Sequence, residues 1–395
     1  MASLVLQIFA VTMINLRSIP QRLLLSISTV FAVALVVLVL LGFLAMANGF
    51  QRTLTGSGSD DIAIALRGGS RSELNSVVVR NQVNLLAEAP GIARDATGRP
   101  LISAELYLVI DAVKRRDQVK ANVPLRGISR EGAALRKGIS LIEGRMFNPG
   151  ANEIVVGQDV IGEFEGFELN QSITLGTGRW TVVGVFSANG SVFGSELWAD
   201  AAAVQSLFNR NNVFQTVRAQ LESPAALAAF KAYVEADPRL KLEVQSEAAY
   251  FADQASRVSD LIRRLGWPLA IAMAFGALAG ALNTMYSSVA ARACEIATLR
   301  AIGFGGIPAF VGTLCESMLL AAVGGAIGAA ATFVAFDGLT VSTLGGSFTQ
   351  VVFSFQLSST LIVRGVLLAL LIGFIGGMFP AWRAARMGIV EGLRG

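Results

Sequence analysis

The sequence predicts an α-helical membrane protein with four transmembrane helices plus a large extracytoplasmic α+β domain. That domain is expected to consist of split ferredoxin-like βαβ halves with a β-rich insertion. Three observations carry the expectation. Only 15% of the residues are charged and 53% are hydrophobic, with a mean hydropathy of +0.58, whereas a soluble domain carries about 25% charged residues. The apolar residues collect in four runs, each close to the roughly 20 residues that cross a bilayer core as a helix. Between the first and second runs lies a long segment of ordinary, nearly balanced charge in which a strand–helix–strand order occurs twice.

The elements follow in order. Residues 1–22 precede the first span, which is LLLSISTVFAVALVVLVLLGFLAMA at 23–47 and carries no charge. Its AMA ending imitates a cleavage site, but the apolar stretch is longer than a signal peptide needs, so an uncleaved span is expected. The α+β domain occupies 48–260. After a Gly/Ser stretch, GSGSDD at 56–61, read as a flexible linker, residues 62–66 alternate like a strand. Residues 76–88 have helical spacing, and ISAELYLVIDAV at 102–113 is rich in β-branched alternation. FQTVRAQLE, PAALAAFKAYVEAD and LKLEVQS repeat the order later, and two such units can pair into one ferredoxin-like sheet. The β-rich insertion covers about 123–206, with EIVVG, QSITLG and RWTVVGVFS as its strands. A helix beginning near Ser246 is expected to continue as a stalk into the second span, so that stalk end and span together take 261–291. The cytoplasmic loop is 292–307, the third span 308–336, an extracytoplasmic loop 337–357, the fourth span 358–379, and the tail 380–395.

Orientation follows from the arginines. Arg17, Arg22, Arg292, Arg300, Arg383, Arg386 and Arg394 share one face with only Glu295 and Glu391. Arg52, Arg257, Arg263, Arg264 and Arg364 lie near helix ends on the other. The positive-inside rule therefore leans towards cytoplasmic termini and an extracytoplasmic α+β domain. Within the bilayer, Gly276 and Gly280, Gly324 and Gly328, and Gly373 and Gly377 stand four apart, a spacing that lets helix backbones approach closely. The third span holds one acid, Glu316. A lone intramembrane acid is either paired or functional. A structural pairing near the cytoplasmic interface is the favoured reading, a proton relay the alternative.

Composition also excludes functions. There is no histidine, and the two cysteines, Cys294 and Cys315, fall in or beside the spans. A Ser–His–Asp triad, a Cys/His metal site and a disulfide framework are thereby excluded. Glu163, Glu165 and Glu168 read as a solvated face. The chain contains no GxxxxGK[ST], so any ATP chemistry belongs to a partner. Without a basic patch on the α+β segment, nucleic acid is not a partner.

The stretch ARACEIATLRAIGFGG at 291–306 surfaces between two apolar spans. Ile296, Leu299 and Ile302 recur every three residues and give a short helix one apolar edge. Arg292 and Glu295, three apart, can pair along one turn. Gly303, Gly305 and Gly306 end the helix, and Pro308 suits the first turn of the next. This stretch resembles the coupling element of the FtsX-like and MacB-like ABC transporter permeases, approximately R-x-x-E-I-G-x-L-R-A-I-G. Arg292, Glu295, Ile296, Leu299, Arg300, Ala301, Ile302 and Gly303 fit, with Ala297 where the family prefers Gly. INLRSIPQRLLLSI resembles the family's basic amphipathic lead-in. EGRMF, EIVVGQDV and RWTVVGVF resemble its extracytoplasmic core, and PAWRAARMGIVEGLR its close, with Ile389 where Pro is usual.

The resemblance implies a permease subunit without a fused ATPase, itself not an enzyme. Arg292, Glu295, Ile296, Leu299, Arg300, Ile302 and Gly303 would dock a separate cytoplasmic ABC ATPase, which would hold the ATP and Mg; the permease itself would bind no cofactor and no metal. A second permease copy, as a homodimer, a periplasmic adaptor protein and membrane lipid are the further partners implied. Mechanotransmission to the extracytoplasmic domain would drive export or extraction of a hydrophobic or amphipathic substrate. The alternative is a transmitter that regulates a cell-wall hydrolase or a sensor kinase and moves no substrate.

Overall fold

A computed structural model describes residues 2–176, 178–344 and 350–393. The chain divides into two units, one of Met1–Asn48, Asp260–Leu339 and Phe355–Gly395, the other of Gly49–Ser259 and Thr340–Ser354. In chain order it runs α1 (Ala2–Ser18), a 3-10 turn at Ile19–Arg22, α2 (Leu23–Thr55), β1 (Ile62–Arg67), β2 (Val78–Val79) and α3 (Arg80–Ala87). Then come β3 (Ile102–Val113), β4 (Lys120–Ile128), α4 (Arg130–Ala134), β5 (Ser140–Gly144), β6 (Glu153–Gly157), α5 (Gln158–Glu163), β7 (Ser172–Leu175) and β8 (Gly178–Ser187). After these follow β9 (Leu197–Asp200), α6 (Ala201–Leu207), β10 (Val213–Phe214), β11 (Thr216–Gln220), α7 (Leu227–Ala236) and β12 (Leu242–Ser246). The rest is α8 (Glu247–Ala291), α9 (Ala293–Ala301), α10 (Gly306–Phe336), β13 (Thr340–Leu344), β14 (Gln350–Ser354), α11 (Ser359–Arg386) and α12 (Ile389–Leu393).

Four helical stretches among the described residues are long and apolar enough to cross a membrane: Leu4–Thr55, Glu247–Ala291, Gly306–Phe336 and Ser359–Arg386. Small residues set how closely they pack. A Cβ on Gly328 would stand 2.5 Å from the Ala34 carbonyl of α2, and one on Gly324 would stand 2.8 Å from that of Val30. Gly377 of α11 lies just as tightly over Ser317 of α10, and Gly373 over Ala321. Val33, Val37, Leu41, Ala369 and Ile372 fill the space these contacts leave. The third glycine pair behaves differently: Gly276 and Gly280 have nothing within 4 Å of a built Cβ. Within this chain neither packs on another helix; both face out of the bundle. Helix α1 packs on α10, where Gly312 admits Asn15 and Val11. Pro268 lies inside α8 without ending it.

In the α+β unit, four antiparallel strands stand in the order β12-β1-β11-β3. With α3 after β1 and α7 after β11, that is the ferredoxin-like arrangement of two interleaved βαβ halves. Strand β3 is long enough to serve twice. Its first four residues pair with β11, and Leu106–Val113 pair with β4. The sheet thereby continues into the insertion, through β9, β6, β8 and β5. The apolar alternation buries Ala63, Ala65, Leu106, Leu125, Val156, Trp180 and Val217 in one core.

Two expectations are corrected here. GSGSDD is not a flexible linker. Gly58 lies so close to α8 that a Cβ would come 2.5 Å from the Ala248 Cα. Ser57 Oγ accepts from the Val192 amide at 2.8 Å, and Asp61 binds Lys137 at 2.6 Å. That hydrogen bond from Lys137, with one from Ser59, lowers the Asp61 carboxyl to about 2. The loop at 337–357 is likewise structured: β13 and β14 form a hairpin belonging to the α+β unit. Val352 donates its amide to Ser195 Oγ at 3.0 Å, Phe353 meets Phe50 edge to face at 5.5 Å, and Ser342 joins Lys114 to Glu163. The turn at 345–349 lies outside the described residues. Glu165 and Glu168 remain at the surface, bound to Gln118 and Arg115.

Candidate functional site

Helix α9 hangs between α8 and α10 and is fixed at three points. At its start Arg292, only 2% exposed, donates to Glu316 of α10. Ser288 Oγ donates to the other Glu316 oxygen at 3.2 Å, and accepts from Arg292 at 3.0 Å and from Arg22 at 2.7 Å. Four polar side chains that would be costly singly in an apolar bundle are thus joined through Ser288 and Glu316, although only one guanidinium nitrogen of Arg292 is bonded and its Nε and Nη1 are buried without a hydrogen-bond partner among the described residues. The expected local pair of Arg292 with Glu295 does not form; the guanidinium turns inward to the buried carboxylate, and Glu295 is exposed. In the middle, Ala297 is buried against Gly392 of α12, so closely that a Cβ on Gly392 would lie 2.8 Å from its own. At the end, Arg300 donates to the Met387 carbonyl. Gly303 then takes a φ of +103°, and α10 starts at Gly306 with Gly305 at its N-cap.

The apolar edge read from the spacing is split by this geometry. Ile296 and Leu299 are half-buried and border, with Val11 and Ile14 of α1, a small cavity of about 20 Å³. Ile302 points away and is 70% exposed, as is Ile307 at 58%. The outward surface therefore consists of Cys294, Glu295, Thr298, Ala301 and Ile302. It offers one acid, a few small groups and an aliphatic tip on a firmly held backbone, which suits docking and not bond chemistry. Among the described residues no cluster of His, Cys, Asp and Glu could hold a metal ion.

A second constellation lies in the α+β unit, and sequence reasoning missed it. Arg126 of β4, Arg218 of β11 and Arg136 are buried with Glu73, Glu105, Glu196 and Glu247. One oxygen of Glu105 meets all three guanidiniums, Arg126 at 3.0 Å, Arg136 at 2.5 Å and Arg218 at 2.5 Å. Arg126 is also forked to Glu73 and Glu196, and Arg218 reaches Glu247, the first residue of α8, at 2.8 Å. Burial raises the carboxyl of Glu105, but Arg136, Arg218 and Arg126 outweigh it and hold the group below the usual range. For Glu247 burial prevails over Arg218 and Arg136, and its carboxyl is pushed up. Arg136 is pulled down by burial and by its two arginine neighbours, despite Glu105. The available signal was a charge at a core-facing strand position: Glu105 in ISAELYLVI, Arg126 in VPLRGI and Arg218 in TVRAQ.

The described residues thus comprise a four-span bundle with a short held helix in its loop, and a ferredoxin-like domain with a β-rich insertion. Residues 26–237 match the MacB-like periplasmic core domain, and residues 269–389 match the FtsX-like permease C-terminal region. The chain belongs to this MacB-like, FtsX-like permease family. Relatives include "Macrolide export ATP-binding/permease protein MacB 1" of Aeromonas hydrophila, 26% identical over 281 residues, which are 65% of this chain and 41% of that protein. The "Macrolide export ATP-binding/permease protein MacB" of Hahella chejuensis is 23% identical over 75% of this chain and 46% of its own length. The chain thus spans less than half the length of these relatives. Among solved structures, the periplasmic region of MacB from Actinobacillus actinomycetemcomitans aligns at 13% identity over 49% of this chain and 92% of that one, with a TM-score of 0.37. The extracellular domain of the noncanonic ABC-type transporter YknZ aligns at 16% identity over 47% and 100%, with a TM-score of 0.36.

Proposed function

We propose that this chain is the permease subunit of an ABC-type transporter in a bacterial inner membrane, driven by a cytoplasmic ATPase that docks on α9. The observation carrying the reading is that α9 presents Glu295, Thr298 and Ile302 while being fixed to the bundle through Arg292–Glu316, Ala297–Gly392 and Arg300–Met387. A push on that outward face cannot be absorbed by the loop alone; it is passed to α8, α10 and α12. Helix α8 is one uninterrupted helix of 45 residues that contributes to both units, and is the natural carrier of the motion. The family match supports a permease role, and the relatives' names, which join an ATP-binding part to a permease, support the ATPase as partner. In this reading both termini are cytoplasmic, the α+β domain is periplasmic, and a second copy completes the transporter. Export or extraction of a hydrophobic or amphipathic substrate is the activity proposed.

The test is co-purification and ATPase assay of the chain with its cognate ATPase in nanodiscs. Glu295→Lys reverses the one exposed charge of α9 without touching any of its three anchors. It should release the ATPase and abolish permease-dependent stimulation. Full retention and normal stimulation by this variant, and by Leu299→Asp, would show that the ATPase does not dock here.

A further inference from the structure

At the same end of the span bundle as α9, but on its other flank, a cavity of about 360 Å³ opens between the last turns of α8 and α11. Tyr286, Val289 and Ala290 of α8 and Met387 form its apolar part; Arg383 and Arg386 stand at its rim. Both arginines are exposed, and among the described residues neither makes an ion pair. Each is held instead against an aromatic ring, Arg383 at 5.8 Å from Tyr286 and Arg386 at 4.4 Å from Trp382. One turn before Arg383, Phe379 is 54% exposed, as is Trp382. The order along α11 is thus exposed aromatics first and then guanidiniums with no ion pair among the described residues, the sequence of chemistries met on leaving the hydrocarbon for the headgroup layer.

We infer that this cavity binds an anionic phospholipid, with the phosphodiester between Arg383 and Arg386 and the start of an acyl chain along Tyr286, Val289 and Met387. Guanidinium forks match phosphate oxygens in pairs, and an apolar wall beneath them suits a chain and not a free ion. An acidic protein segment would satisfy the charges, but it would leave the apolar wall and the exposed Phe379 and Trp382 unexplained. The bound headgroup would lie beside Ala293, the first residue of α9, and beside Gly392, on which Ala297 packs. It would therefore brace the tail against the docking helix. The site stands on the cavity and its charges, independently of what α9 docks; only the naming of the cytoplasmic leaflet rests on the orientation proposed above.

The experiment is native mass spectrometry of the delipidated full chain, titrated with phosphatidylglycerol or with phosphatidylcholine, in the absence of any ATPase. Two cationic contacts near a headgroup predict that Arg383→Gln with Arg386→Gln weakens the tightest phosphatidylglycerol binding about thirtyfold, with phosphatidylcholine binding unchanged. Both positions are exposed, so an unchanged thermal transition checks that the fold survives. A Lys pair at the same positions should restore most of the affinity. Equal phosphatidylglycerol binding by wild type and the Gln variant overturns the assignment. So does complete displacement of the lipid by inorganic phosphate at the same concentration. In a separate co-purification with the ATPase, loss of retention by the Gln variant whose lipid binding is intact also overturns it, and would assign the arginines to a protein partner.

Discussion

Replacing Glu105 by Gln takes away the one carboxylate that all three buried arginines of the α+β unit share. Arg126 and Arg218 keep other acids, Glu73, Glu196 and Glu247 among them. Arg136 keeps no ion pair: its remaining direct neighbours are the Gly132 carbonyl at 2.9 Å and the rings of Phe193 and Trp198 at 5.0 and 5.3 Å, with Glu247 acting on it only through space. Removing one partner of a buried pair costs about 3–5 kcal/mol, because the other charge stays desolvated and unmatched. For a domain of this size that corresponds to a fall of about 6–20 °C in Tm. One effect opposes it. Glu105 is among the charges that hold the Glu247 carboxyl up, so the variant lets Glu247 ionise more readily and pair better with Arg218. That gain is smaller, since Glu247 bonds Arg218 directly and reaches Arg136 only through space. Tryptophan fluorescence of the full chain in detergent reads the result, because Trp180 and Trp198 are completely buried in this unit and Trp198 donates to Glu196 at 2.8 Å. Adding Arg136→Met should recover part of the loss by removing the stranded charge. A single-variant loss below about 1 kcal/mol, or a double variant less stable than the single, would refute the reasoning.

Three further outcomes are expected. Glu316→Gln strands the buried Arg292 and should lower the stability of the bundle by about 3–5 kcal/mol, whereas Arg292→Met with Glu316→Met should be milder; size-exclusion profiles after graded heating distinguish them. Gly328→Leu must drive α10 off the Ala34 backbone and lose about 1–3 kcal/mol or more, while Gly276→Leu, with open space around it, should stay within about 0.5 kcal/mol for the isolated chain. Acid should loosen the start of the α+β unit. Asp61 has its carboxyl lowered from 3.8 to about 2, chiefly by the hydrogen bond from Lys137. Its contribution is full above the higher value and disappears as pH falls towards the lower one. Asp61→Asn should flatten that part of the Tm-against-pH curve, and an unaltered curve would count against the Lys137 contact.

What could be read from the sequence was what is local. The spans announce themselves because a bilayer demands an uninterrupted apolar helix, and the two βαβ halves because each keeps its period over a dozen residues. Helix α9 was legible for the same reason, down to Gly303 at its end. Its anchors were not. Arg292 has Glu295 three residues away and Glu316 well beyond a turn, and only the packing of α10 beside α8 makes the distant acid the nearer one. Gly276 and Gly324 carry identical four-residue spacings, yet one pair faces outward and the other another helix, a matter of rotation about the axis that spacing does not encode. GSGSDD has the composition of a linker, but Gly58 is there because α8 leaves no room for a side chain. The buried arginines and glutamates were hidden in a charge count that looks like that of any soluble surface.

The β13–β14 hairpin has a consequence for how the molecule is made. Its strands are encoded after the third span, but Phe353 packs on Phe50 and Val352 bonds Ser195 within the α+β unit. Synthesis delivers residues 49–259 long before these strands exist, and domains usually fold as the chain emerges. Here the last step must wait until the third span and the strands after it have been made, leaving Phe50 and the Ser195 hydroxyl without their final neighbours in the interim. The unit is finished late, and a ribosome stalled between the third and fourth spans would leave it open.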